Sequence, residues 1–166
     1  MTAIRRVQPH EAATAADIHR RAGALIPGYD TSLHTWPEYV SFYQDTVLMQ
    51  GPVWGVYDGD SLRGHIALRS NWIDHLYVDP AVHGHGFGSL LVGHAKSMHR
   101  QLWLYTFQAN VRARAFYERH GFRVEELTDG ARNEENLPDM TYHWMADDMR
   151  DRNNSGVPIP TDSGQR

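Results

Sequence analysis

The chain contains no cysteine. Disulfide staples, thiolate nucleophiles and cysteine-ligated metals are therefore excluded, and its 166 residues must be held together by a buried apolar core. Nowhere do 18 apolar residues run together, so no bilayer-spanning helix is expected. The opening stretch Met1–Ala13 lacks an apolar segment of signal-peptide length, and a cytoplasmic location is the expectation. Basic residues are not in excess either. A formal net charge of −4 argues against a nucleic-acid or membrane-surface binder, whose phosphate contacts need a basic face. Internal repeats are also lacking. What is present, 41% hydrophobic and 22% charged residues, is the composition of a soluble globular domain.

Periodicity divides the chain into elements. Ala3–Val7 reads as a short strand, and the following segment to Leu25 as a helix with Pro9 in its first turn. Thr35-Trp36-Pro37-Glu38 has the form of a capped helix start, continued by Tyr39, Phe42, Tyr43 and Val47 at helical spacing. Two β-rich runs flank Asp58-Gly59-Asp60, a hairpin signal, and Trp72–Val78 is a third strand closed by Asp79-Pro80. A helix after the glycines (Phe87, Leu90, Leu91, His94, Ala95, Met98), the strand Gln101–Phe107, a helix opened by Asn110 and stopped by Gly121, and two last strands complete the order β-α-α-β-β-β-α-β-α-β-β. This pattern predicts an α/β fold with a mixed sheet flanked by helices, one domain over residues 1–146, and a polar, disordered tail over 147–166.

Residues 83–88, His-Gly-His-Gly-Phe-Gly, lie between a strand and a helix. Unpaired N–H groups and the positive dipole end at such a helix start form an anion site, and glycine lets a phosphate approach the main chain. Two nucleotide motifs fail. Gly84, Gly86 and Gly88 give G-x-G-x-G where the dinucleotide fingerprint needs G-x-G-x-x-G, and a P-loop needs a lysine absent here. His83 and His85 have no third ligand at a recognisable spacing, so no metal is expected.

The segment Leu76–Lys96 resembles the donor-binding motif of the GCN5-related N-acetyltransferases, Arg/Gln-x-x-Gly-x-Gly/Ala, with His83 in place of Arg or Gln and Gly86 and Gly88 matching directly. Asn110, Ala113, Phe116, Tyr117, Gly121 and Phe122 match a second signature of that family, in the right order and one strand later. The resemblance implies an N-acetyltransferase using acetyl-CoA. The main chain at Leu76, Tyr77 and Val78 would hold the pantetheine arm and acyl carbonyl. His83, Gly84, His85, Gly86, Phe87, Gly88 and Ser89 would hold the pyrophosphate, with Asn110 also on the pantetheine. Tyr117 would be the acid for the departing sulfur.

Strand alternation sets Trp72, Asp74, Leu76 and Val78 on one face and Ile73, His75 and Tyr77 on the other. That makes Asp74 the first candidate for general base, with His75 second if a bulge re-aims it. The acceptor pocket is expected from the segments around Tyr29, Trp36 and Tyr39 and from the loop bearing Glu134, Glu135 and Asp139, whose carboxylates suit a cationic amine. The acceptor is a small-molecule or peptide amine. A longer acyl group, a donor on an acyl carrier protein, and a non-catalytic acyl-CoA-binding module remain alternatives, and homodimers are common in the family.

Overall fold

The computed structural model describes residues 1–154. Strand β1 (Thr2–Arg6) leads through a 3-10 turn at Pro9–Glu11 into α1 (Ala12–Gly23). Helix α2 (Trp36–Phe42) starts on the expected cap: Thr35 accepts from the Glu38 N–H while Glu38 reaches back to the Thr35 N–H. It runs on through a π-helical turn, Tyr43–Val47, into the short α3 (Leu48–Gln50). Strands β2 (Val53–Asp58) and β3 (Ser61–Arg69) form the expected hairpin, with Gly59 in the left-handed region at φ +58°. Then come β4 (Trp72–Val78), α4 (Phe87–Met98), β5 (Gln101–Phe107), α5 (Val111–Arg119), β6 (Arg123–Leu127) and β7 (Asp139–Met145). Asp147–Asn154, expected to belong to a structureless tail, forms helix α6, and residues 155–166 lie outside the described residues.

The seven strands form one mixed sheet in the order β1-β2-β3-β4-β5-β7-β6. Each face carries its own core. On one, α1 and the α2 segment cover Val53, Tyr57, Leu62 and Ala67. The buried side of α1 is largely alanine (Ala12, Ala15, Ala16), so the helix can lie close to the sheet. On the other face, Leu91, Val92 and Ala95 of α4 and Tyr117 of α5 pack on Val56, Ile66, Ile73, Leu102, Leu104 and Tyr142.

Two irregularities in β4 shape everything that follows. First, β4 pairs with β5 in parallel through only Trp72↔Trp103 and Ile73↔Leu104, so the two strands part beyond those pairs. Second, the register against β3 slips: Leu68 faces Ile73 and Ala67 faces His75, which leaves Asp74 as a bulged residue without a partner. The slip overturns the expected alternation. Ile73 and Leu76 now share one core, whereas Tyr77 packs in the other with α1 and α2. His75 turns to the same side, beside a tilted His19 ring and stacked with Tyr77.

The turn after β4 is anchored by Asp79, 7% exposed. One of its oxygens accepts from the Ala81 N–H (3.0 Å) and from Arg21 of α1 (2.6 Å), and the other faces Arg63 of β3 (3.5 Å). The Arg21 hydrogen bond and both arginine charges hold its carboxyl below the usual range. Asp79→Ala should lower unfolding stability by about 1–3 kcal/mol in urea titration, because it removes a buried carboxylate that accepts the Ala81 N–H and pairs with Arg21 and Arg63. Asp79→Asn, which keeps the acceptor for Ala81, should lose less. Equal midpoints for wild type and the Ala variant would contradict the anchoring role.

Candidate active site

Where β4 parts from β5, two grooves meet, and Tyr77 lines both. The smaller, about 500 Å³, runs along Leu76–Val78, across the glycine loop and against α5. Beyond Ile73 no described strand pairs with β4 on its β5 side, so main-chain groups along this edge, apart from the Val78 carbonyl that His83 reaches, are left for a ligand to bond.

The three glycines of the loop do different work. Gly84 (φ +83°) and Gly86 (φ +82°) hold left-handed backbone, and a Cβ at either would point into open space. Gly86 caps α4, so the first N–H groups of that helix lack helical partners and carry the positive end of its dipole toward the groove. Gly88 is instead a close contact: a Cβ there would come within 3.2 Å of the Phe116 ring and wedge α4 from α5.

Most of the residues assigned to donor binding line this groove: Leu76, Tyr77, Val78, His83, Gly84, Gly86, Phe87, Gly88, Ser89, Asn110 and Tyr117. His85 does not. It is exposed, its Nδ1 within reach of the Val82 (3.0 Å) and His83 (3.2 Å) carbonyls. The His83 ring folds back on the strand, where its Nε2 donates to the Val78 carbonyl (2.8 Å) and closes the loop onto β4. Positive charge comes from Arg112 and Arg119 of α5, which line the groove. Arg114 turns away to the Gln108 carbonyl (3.0 Å).

Asn110 caps α5 through the Ala113 N–H (3.2 Å) and faces the groove as well. The Tyr117 ring packs edge-on to Phe116 (5.4 Å) and Phe122 (5.5 Å). Burial alone raises its phenol pKa well above the ordinary value, and no described residue bonds its hydroxyl.

The larger groove, about 1060 Å³, gathers Tyr29, Tyr39, Asp74, His75, Glu134, Glu135 and Asp139, as expected from the sequence. Glu38, Asp45, Glu126 and Asp129 add to its negative charge, against Arg132 as the one arginine lining it. Trp36 is not part of it. That ring lies on the surface, with the Arg20 guanidinium 5.2 Å from its centre. Several of the carboxylates have partners: Asp139 accepts from the Thr128 hydroxyl and the Asn133 amide (3.1 Å), Asp74 is held by Arg69 through both oxygens (2.9 and 3.1 Å), Glu38 accepts from the Thr35 N–H (2.6 Å), and Glu134 lies 3.2 Å from Nε2 of His34. His75 has no hydrogen-bond partner among the described residues, and burial lowers its pKa to about 4.

Local sequence did not reveal His19, which lines this groove, or Tyr43 and His65, which are buried behind it. Positions 19, 43 and 65 follow no spacing pattern, and an abundance of histidine (11 in all) was the only hint. Among the described residues no group of three potential ligands is close enough to hold a metal ion, and no helix is long and apolar enough to cross a membrane.

The acetyltransferase (GNAT) family profile matches residues 21–122, from within α1 through both site motifs to Phe122. The chain belongs to the GNAT acetyltransferase family. It is 36% identical over 91 residues to the peptidyl-lysine N-acetyltransferase YjaB of Escherichia coli K12, a match covering 52% of this chain and 62% of that protein. The aligned stretch therefore spans less than two thirds of its curated relative. The solution structure of apo-form YjaB from E. coli superposes with a TM-score of 0.68 at 26% identity, over 88% of this chain and 99% of that one. The structure of yncA from Salmonella typhimurium with its cofactor acetyl-CoA superposes at 0.67 and 16% identity, over 89% and 95%, and so shares the fold.

The buried histidines make stability depend on pH in a defined direction. Burial lowers the pKa of His65 to about 3, of His75 to about 4, and of His19 in the same sense. An unfolded histidine titrates near 6.5, so below that pH the unfolded chain binds more protons than the folded one. Stability should thus be flat above pH 6.5 and fall as pH drops toward 4, with His65 alone costing ~2 kcal/mol at pH 5. Thermal unfolding between pH 8 and 4 checks this, and a midpoint unchanged down to pH 5 would contradict it.

Proposed function

We propose that this chain is an N-acetyltransferase that moves an acetyl group from acetyl-CoA to a primary amine, with the lysine side chain of a peptide as the favoured acceptor. The observation that supports this best is the meeting of the two grooves at Tyr77. One suits a phosphate-bearing donor and the other an ammonium group, and they meet where β4 has a free edge. YjaB, named for peptidyl-lysine, and yncA, solved with acetyl-CoA, lend support to the acceptor and the donor.

Acetyl-CoA supplies an activated thioester. The residues of the chain supply place and proton management. Main-chain groups of Leu76–Val78 hold the arm and acyl carbonyl, while the glycine loop with the α4 N-terminus, Arg112 and Arg119 receives the phosphates. The two arginines favour a donor with its nucleotide over a carrier-protein arm, which has none. Carboxylates such as Glu134 and Glu135 draw the ammonium into the larger groove.

The amine must shed a proton to attack. His75 is better suited to accept it than Asp74, because its ring is neutral and unpartnered whereas both Asp74 oxygens are committed to Arg69. Tyr117 then serves the leaving sulfur. Its raised pKa keeps the hydroxyl protonated at any working pH but makes full transfer to a thiolate uphill, so its contribution is chiefly a hydrogen bond to the developing charge.

Tyr117→Phe should fold normally, since the ring contacts survive, and should bind coenzyme A with unchanged affinity. Its kcat in acetyl transfer to a lysine peptide should fall roughly 10- to 10⁴-fold with KM little altered. Steady-state kinetics with calorimetry checks both halves, and wild-type turnover by the Phe variant would remove Tyr117 from the chemistry.

A further inference from the structure

Behind the larger groove lies a hydrogen-bonded file of side chains that the reaction above does not use. His19 of α1 is 6% exposed, and its Nδ1 lies 3.0 Å from the Tyr43 hydroxyl. That hydroxyl lies 2.8 Å from Nε2 of His65, which is fully buried on β3. Tyr43 opens the π-helical turn after α2, a local departure from regular helix of the kind often found at functional sites. At the far end, His65 Nδ1 is sealed from solvent without a partner. At the near end, His19 lines the groove, and its ring stacks on Tyr77 (centroids 4.1 Å, planes 14° apart). Its Nε2 bonds to no described residue and is not among the sealed atoms.

A proton count fixes the tautomers. Two hydrogen bonds need two protons, one from the Tyr43 hydroxyl and one from a ring N–H. If His19 Nδ1–H donated to Tyr43 and Tyr43 to His65, then His65 would carry its proton on Nδ1 as a buried donor with no acceptor. If instead Tyr43 donates to His19 Nδ1 and His65 Nε2–H donates to Tyr43, the sealed Nδ1 is a bare lone pair. Orphaned buried N–H groups are the rarer of the two kinds of unpaired atom, so the second arrangement prevails. In it the single proton of His19 sits on Nε2, facing the groove. Burial keeps His19 and His65 neutral, so this arrangement persists across the working pH range.

We propose that His19 is a specificity-determining residue, a fixed neutral N–H donor that bonds a carbonyl oxygen of the acceptor, with Tyr43 and His65 as the residues that set its tautomer. This rests on the acyltransferase reading above and narrows its acceptor. A peptide offers such an oxygen, whereas a polyamine offers only nitrogen and leaves the His19 donor unanswered. Sites built around a buried donor discriminate strongly against ligands that lack the matching acceptor.

Two measurements test it, and the first needs no activity. Long-range ¹H–¹⁵N correlation on the intact protein at pH 7 should find His19 protonated on Nε2 and bare at Nδ1. Tyr43→Phe should release it to the tautomer mixture of a free imidazole. A His19 protonated on Nδ1 in the wild type overturns the proposal.

The second compares a lysine peptide with cadaverine as acceptor. His19→Leu should lose about ten-fold more kcat/KM on the peptide than on cadaverine, mainly through KM, and His19→Gln, whose amide keeps a donor, should recover part of the difference. Equal losses on both amines would overturn the carbonyl role and point to a structural side chain. Should neither amine be acetylated even by the wild type, the acyltransferase reading fails, and the tautomer measurement still decides the state of His19.

Discussion

The short ladder between β4 and β5 is the constraint on which the rest of the structure depends. Two residue pairs join the halves of the sheet, and beyond Ile73 and Leu104 the strands separate. Were the ladder to continue, the main-chain groups of Leu76–Val78 would be satisfied within the sheet, and both grooves would close. The bulge at Asp74 acts at the same place. By inserting one residue, it turns His75 and Tyr77 toward α1 while leaving Leu76 on the core of α4 and α5. Asp79 then fixes the chain as it leaves the strand, which holds the glycine loop at the mouth of the gap.

Charge is distributed to match. The glycine loop offers the positive end of the α4 backbone, with arginines contributed by α5. The larger groove is lined by carboxylates, yet His19 and His75 within it are kept uncharged by burial. A cationic amine would therefore meet attraction at the rim and no opposing charge from the imidazoles deeper in. The ion pair of Asp74 with Arg69 removes one carboxylate from that field and leaves His75 as the unpartnered basic group beside it.

Those features were legible in the sequence to the extent that they are local. Asn110 and Gly121 mark both ends of α5, the glycines at 84 and 86 answer a backbone need, and the Thr35–Glu38 capping box formed as its residues indicate. Strand alternation failed at Asp74 because a bulge depends on how β4 meets β3, which no single strand encodes. Trp36 has the aromatic character of a pocket wall, but its helix turns it outward beneath Arg20. Alternation placed Asp74 on the donor face and so made it the first candidate for base, but the partner that occupies it sits on the neighbouring strand. The His19–Tyr43–His65 file joins a helix, a π turn and a strand, so only tertiary packing brings it together. The polar composition after residue 146 concealed a helix whose Arg150 bonds the Gly121 carbonyl (2.9 Å), again a contact made at long range.

We propose that the free edge of β4 and the glycine loop form the donor site, and that the acidic groove is a separate, adjoining one. Titrating the ¹⁵N-labelled protein with coenzyme A while following backbone amides tests it most directly. The amides of 76–78 and 84–89, together with those around Asn110 and Tyr117, should shift progressively to saturation, while Glu134 and Glu135 hardly move. Saturable shifts centred on the acidic loop, or none at millimolar coenzyme A, would contradict it.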